Sequence, residues 1–368
     1  MPTRKLVVDY HQDLALFPDR WQQAGAILIY SLLALFPLVA SDYWLSISLD
    51  TMVAIVGSVA MMVLTGFAGQ VSLGHAAFIG VGAYGAAILG SIYGLPFWLN
   101  IPTAGVLATC IGLTVGPFAL RLEGLYLAIV TVGLLFLVQH LIKQGIEPLY
   151  QQDSFVASMH LWFVAEGDAR SGLGSFFGDS ELFGMSVSFK QKLYGLFLVL
   201  TSLVVWLSWA IQHSRLGRAM MAVRDRDMTA AVIGVNPARV KFIAFGISSF
   251  LAGVAGAMYA YAHPTISLDS TGAPFSLTMS VLYLAMVVLG GIGTTFGAVL
   301  GAISLSVLFP LAEKLAELFP FPATFSGEQQ GALIFFPVLC VFLVFEPLGI
   351  LGIWLRIKRY FMAWPFRY

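Results

Sequence analysis

Gln70, Ser72 and His75 stand close together in the stretch Thr65-Gly-Phe-Ala-Gly-Gln-Val-Ser-Leu-Gly-His-Ala-Ala-Phe78, which is otherwise small or apolar. An amide, a hydroxyl and an imidazole offer hydrogen-bond donors and acceptors to a polar ligand without adding a fixed charge. Gly66, Gly69 and Gly74 share the segment, and Gly80 and Gly82 follow within its continuation to Tyr84. Glycines let helix backbones approach closely, and let a helix unwind where it lines a cavity. In a lipid-embedded segment such a polar cluster marks a path or a binding site. The same groups would equally suit hydrogen bonds between helices, or the ends of two spans at the cytoplasmic interface.

Other residues with chemical capacity are sparser. Arg121-Leu-Glu-Gly-Leu-Tyr126 reads as a polar turn between two apolar runs, with Thr131 a helical turn or so beyond Tyr126. Tyr126 and Thr131 join the path candidates, with a plain connector as the other reading. His140 and His263 have no second His, Cys or carboxylate at ligand spacing, so no metal site is expected. Cys110 and Cys340 lie in apolar runs and are read as small hydrophobes. No catalytic constellation of His, Asp, Glu and Cys emerges, so an enzyme is not expected.

The elements that must position these groups follow from composition. In 368 residues, 59% are apolar and 10% charged, and the mean hydropathy is +0.87. A spanning helix needs about 20 apolar residues, and most of the chain meets that test. The expectation is an all-α, polytopic transmembrane bundle of about ten spans, with eight as the lower bound. The candidate spans are 25–40, 52–68, 73–93, 98–120, 125–141, 193–211, 242–262, 277–290, 296–309 and 332–345. The last three are short, and one could be re-entrant. The first apolar run is followed by no small-residue cleavage site, so it is expected to stay in the protein rather than act as a cleaved leader.

Net charge is zero, which gives no global field for nucleic acid. The positions of the basic residues are more informative. With the N-terminus inside, Arg4, Lys5, Arg20, Arg121, the arginines of 213–241 and those of the tail all fall on the cytoplasmic side. Only Lys143, Arg170, Lys190, Lys192 and Lys314 fall outside. This divides a single membrane domain, 1–368, into a cytoplasmic segment 1–24, an extracytoplasmic acidic loop 145–192, a cytoplasmic loop 213–241 and a cytoplasmic tail 354–368. No charged residue lies centrally in any span so drawn.

The loop 213–241 is too polar to span. Within it Arg218–Ile233 reads as one short amphipathic helix, stopped by Gly234 and kept from continuing by Pro237. Such a helix suits docking in a groove on a partner, or lying on the inner leaflet through its arginines.

Four segments, in order, resemble the permease subunits of branched-chain amino acid importers of the ATP-binding-cassette (ABC) type, the LivM/LivH-type permease family. They are Gly69-Gln-Val-Ser-Leu-Gly-His-Ala-Ala-Phe78 with Gly82-Ala-Tyr84, Leu120-Arg-Leu-Glu-Gly-Leu-Tyr-Leu-Ala-Ile-Val-Thr131, the 214–259 loop and helix, and Val288-Leu-Gly-Gly-Ile-Gly-Thr-Thr-Phe-Gly-Ala-Val-Leu-Gly301. Family members commonly carry a Thr-Gly-Gly turn in the external insert, and 144–192 here is longer, acidic and without it.

The resemblance implies that Arg224, Asp225, Arg226, Asp227, Ala230, Ala231 and Gly234 belong to a coupling helix seated on an ATPase. It also implies two ABC ATPase subunits, a second related permease, an extracytoplasmic solute-binding protein and a bacterial inner-membrane location. ATP and magnesium would be bound by the partners, since this chain has no G-x-x-x-x-G-K-[ST] cradle. The expected cargo is a branched-chain amino acid, with urea or short amides as the alternative. An ion-coupled secondary transporter would need ionisable residues within the membrane, which these spans lack.

Overall fold

A computed structural model describes residues 20–119, 124–146, 180–182, 185–263, 266–268, 275–316, 333, 335–337, 340–342, 344–346 and 349–362. The segment before Arg20, the turn at Arg121, most of the acidic insert, much of the 332–345 run and the end of the tail lie outside the described residues.

The described residues are helical almost throughout. In order come α1 (Arg20–Val39), α2 (Asp42–Met61), a π-helical turn (Met62–Phe67), α3 (His75–Ser91), α4 (Phe97–Ala119), α5 (Leu125–Leu141) and a second π turn (Ile142–Ile146). A small antiparallel hairpin follows, β1 (Ser180–Leu182) with β2 (Met185–Val187), Glu181 opposite Ser186. Then come α6 (Phe189–His213), α7 (Arg215–Asp225), α8 (Asp227–Val232), α9 (Pro237–Ala262), α10 (Leu277–Gly290), α11 (Thr295–Ala316) and α12 (Gly349–Met362). The hairpin departs from an all-α reading, and it falls in the acidic insert.

Among the described residues, six stretches are long and apolar enough to cross a membrane: Asp42–Phe67, Phe97–Thr114, Tyr126–Ile146, Phe189–His213, Pro237–Ala262 and Thr295–Ala312. Ile27–Val39, His75–Ser91 and Leu277–Gly290 are shorter apolar helices. The first of the six begins well before the expected Met52. Its extra turns carry Asp42, Ser46, Ser48 and Asp50, polar residues that depress a hydropathy window. The helix keeps them because Ser46 and Ser48 donate back to the carbonyls of Asp42 and Leu45, at 3.0 and 2.7 Å.

Burial separates centre from periphery. The Asp42–Phe67 and Pro237–Ala262 stretches are 78% and 72% buried, against 28–39% for the other four. So α2 and α9 form the core, with α9 packed against α2, α3 and α4. Lipid chains are as apolar as leucine, so close backbone approach and interhelical hydrogen bonds do more here than hydrophobicity. A Cβ at Gly82 of α3 would run into the Gly253 carbonyl of α9. Ser248 of α9 donates to the Ala60 carbonyl at 2.7 Å, and Ser58 to the Ala298 carbonyl of α11 at 3.1 Å.

Local signals set the ends. Asn236 caps α9 by accepting from Arg239 N at 3.2 Å, with Pro237 in the first turn. Ser276 caps α10 through Met279 N at 3.2 Å.

Candidate functional site

The polar cluster sits where α3 starts, and α3 starts inside the bundle. After the π turn the backbone reverses at Gly69, whose φ of 70° belongs to the left-handed region that glycine tolerates. The non-helical stretch 68–74 then runs back alongside α2, so that His75 Nε2 donates to the Gly57 carbonyl at 3.0 Å. Gly57 lies ten residues before Phe67, about 15 Å along the helix axis. Leu73 N donates to Thr131 Oγ1 at 3.0 Å, and Ala76 N to Ser280 Oγ at 2.9 Å. Side chains of α5 and α10 thereby satisfy amides that a broken helix leaves open. Gly74 is obligatory, since a Cβ there would meet the Thr131 carbonyl.

Ser72, His75 and Thr131 are each fully buried, and the structure brings them together at this break. Gln70 is also buried, and neither atom of its side-chain amide has a hydrogen-bond partner among the described residues. Tyr126 is not part of the cluster. It is 70% exposed, and its five-residue offset from Thr131 turns it about 140° around α5. Ser280, Gly57 and Tyr283, whose ring stands edge-on to His75 with centroids 5.6 Å apart, belong to the site and were missed. Ser280, a serine within an apolar run, was the available signal.

At one end of α2 lies the loop, and it is not a single helix. The backbone at Arg226 is extended, with φ −159° and ψ 101°, and divides the expected Arg218–Ile233 helix into α7 and α8. Ser214 caps α7 through Gly217 N at 3.1 Å, and Gly234, at φ 90°, ends α8 as expected.

Arg224, at the end of α7, reaches inward. Its Nη1 donates to the Gly66 carbonyl at 2.7 Å, and the guanidinium also pairs with Asp225. Its side chain fills the space over Gly69 and Gly293, where a Cβ would crowd it at 2.8 and 2.9 Å. Beside it Gln212 donates to the Gly293 carbonyl at 3.3 Å, and Thr295 joins Gln212 at 3.2 Å and Ser208 at 3.1 Å. One arginine thus links the loop to the π turn of α2 and to the glycine turn between α10 and α11.

The remaining loop residues divide by face. Ala230 is buried, and Asp227 is ion-paired to Lys241 of α9. Arg226, Ala231 and Gly234 are exposed. Met228, Val232 and Ile233 are 83%, 87% and 69% exposed. Met228 and Val232, four apart, share one face of α8.

Asp50 lies in the first half of the Asp42–Phe67 stretch, away from the loop, its side chain half exposed. His263, one residue past α9, places Nε2 3.6 Å from Asp50 Oδ1 and stacks on Tyr259 with ring centroids 4.0 Å apart. Burial biases the His263 imidazole toward its neutral form. Asp50 lies within the Asp42–Phe67 stretch, eight residues from its start, and so outside the 52–68 span as drawn from the sequence.

Residues 43–342 match the family described as branched-chain amino acid transport system / permease component. The chain belongs to this family. Among its relatives is the high-affinity branched-chain amino acid transport system permease protein LivM of Escherichia coli K12. It is 33% identical over 291 residues, covering 78% of this chain and 67% of that protein. The Salmonella typhimurium LivM protein is 33% identical over 277 residues, covering 74% and 64%. The Pseudomonas aeruginosa permease protein BraD is 33% identical over 180 residues, covering 49% and 53%. The chain spans about two thirds of the length of the two LivM proteins. No solved structure matches it. Family membership makes the chain a membrane permease component, and the break at His75 and the wedge of Arg224 both fall inside the matched residues.

Proposed function

We propose that the chain is the membrane-spanning subunit of an ATP-driven importer that passes branched-chain amino acids across a bacterial inner membrane. The observation that carries this reading is the loop geometry. A helix pair presents Met228, Val232 and Ile233 outward while Arg224 grips the glycine turns at the end of α2. An exposed apolar ridge suits a groove on a partner subunit, and the inward arginine gives its movement a route to the bundle.

In this reading two ABC ATPases bind ATP and magnesium and seat the α7–α8 loop. Asp225, Arg226 and Ala231 flank the contact, and Arg224, Asp227, Ala230 and Gly234 hold the loop's shape. A related second permease closes a cavity, and a solute-binding protein delivers the amino acid from outside. Ser72, His75 and Thr131, with the Gln70 amide, line the passage at the start of α3. Unwound backbone and uncharged polar groups there suit a zwitterion, while Tyr126 faces away toward lipid or the paired permease. The bundle has about ten spans, with Arg20, the 213–241 loop and α12 on the cytoplasmic side.

The test is uptake of labelled leucine and labelled urea in cells carrying the permease with its partners, before and after Arg224→Glu. Leucine uptake that the substitution abolishes, with the protein still in the membrane, supports both cargo and coupling. Urea uptake in place of leucine changes the cargo, and uptake indifferent to Arg224 removes the coupling role.

A further inference from the structure

The carboxylate of Asp50 has no role in the path as described so far. It lies eight residues inside α2, about 12 Å from the helix start. An ionisable group held in a spanning segment is costly unless it is used. Its nearest partner is the neutral-biased His263 imidazole at 3.6 Å, beyond hydrogen-bond range. Its side chain is 54% exposed, so a ligand can approach it. Tyr259 stacks on the same imidazole, with ring centroids 4.0 Å apart.

The face of α2 that carries Asp50 leads to the break. Asp50, Ala54 and Gly57 fall at helical spacing on one side of the helix. The Tyr283 ring lies over Gly57, whose carbonyl receives His75. Tyr259, stacked on His263, also meets Phe275 edge-on with centroids 5.7 Å apart. A carboxylate therefore stands beside an imidazole that is stacked on a tyrosine, on the side away from Arg224 and on a helix face that runs toward the polar cluster.

We propose that Asp50, with His263, Tyr259 and Tyr283, forms an ammonium-recognising station at the entrance of the path. It takes the α-amino group of an incoming amino acid while the rings receive its hydrocarbon chain. An ammonium against a carboxylate makes the charge-assisted hydrogen bond that His263 leaves unmade, and aromatic faces add attraction for the cation. Urea, uncharged, would gain little there. The station rests on the amino acid reading of the function, and the experiment separates the two.

The complete complex is reconstituted in proteoliposomes with leucine-loaded binding protein, and leucine accumulated per ATP hydrolysed is measured. If wild-type complex hydrolyses ATP but accumulates no leucine, the functional reading itself fails, and the station with it. If wild-type complex accumulates leucine, Asp50→Asn is expected to lower the ratio about tenfold, with Asp50→Glu restoring most of it. An unchanged ratio in Asp50→Asn overturns the station alone.

Because Asp50→Asn could fail to assemble, a second measurement uses the wild-type complex. Dicyclohexylcarbodiimide modification of Asp50 is followed by peptide mass spectrometry. Leucine and 3-methylbutylamine are expected to slow it, and 4-methylpentanoate, which lacks the amine, is not. Equal rates with and without the amines overturn the proposal.

Discussion

The two halves of the Asp42–Phe67 stretch are built on opposite principles. At the Gly66 end Arg224 fills the space over two glycines and donates at 2.7 Å to a carbonyl. Gln212, Ser208 and Thr295 complete a continuous network around it. At the Asp50 end the principal charged contact is 3.6 Å long and half open. Tight, fully bonded packing moves as a unit and transmits displacement, because packed interfaces shift between discrete arrangements rather than deform. A loose, partly open charge cannot transmit, but it can bind. One helix thus joins a part suited to mechanical coupling to a part suited to capture, with the break at His75 between them.

The contrast can be pressed first where packing is tightest. Gly82→Leu drives a side chain into the Gly253 carbonyl at the α3–α9 crossing, and should destabilise the solubilised protein by about 3 kcal/mol. Gly133→Leu is the control, since nothing lies within 4 Å of a Cβ at Gly133. Its melting temperature should hold or rise, helix propensity favouring leucine by about 0.8 kcal/mol. Similar losses in both would remove the claim that the bundle depends on specific backbone approaches.

A smaller effect is expected on the exposed ridge. Met228→Asp places a charge on a side chain that is 83% exposed, so the permease alone should melt within about 0.5 kcal/mol of wild type. Its hold on the ATPases should weaken about tenfold or more, read by co-purification and by stimulated ATP hydrolysis. Loss of thermal stability without loss of ATPase binding would assign Met228 to the fold instead of the interface.

Helices with simple apolar periodicity were readable to the residue, as in Leu125–Leu141 and Leu277–Gly290. Elements whose polar groups are satisfied by their own backbone were not. The start of α2 was missed because Ser46 and Ser48 return their hydroxyls to the helix. No local sequence signal marks the π turn Met62–Phe67 or the extended Arg226, both of which adjoin Arg224 in the structure.

Residue types that are rare in apolar runs drew attention to Ser72, His75 and Thr131, which lie buried together at the break. Tyr126 is a neighbour of Thr131 in sequence but not on the helix surface. Arg224 was legible as a loop residue, but its inward direction was not. The loop's apolar residues were read together as one docking face, whereas Met220, Val223 and Ala230 are buried and Met228, Val232 and Ile233 are exposed.

The most direct test of the two-ended account is sidedness. In a chain with Cys110 and Cys340 replaced by alanine, single cysteines are placed at Met228 and at Tyr43, both exposed. They are then labelled with a membrane-impermeant thiol reagent in intact spheroplasts and in inside-out vesicles. The account predicts labelling of Tyr43→Cys only in spheroplasts and of Met228→Cys only in inside-out vesicles; labelling of both from the same side would contradict it.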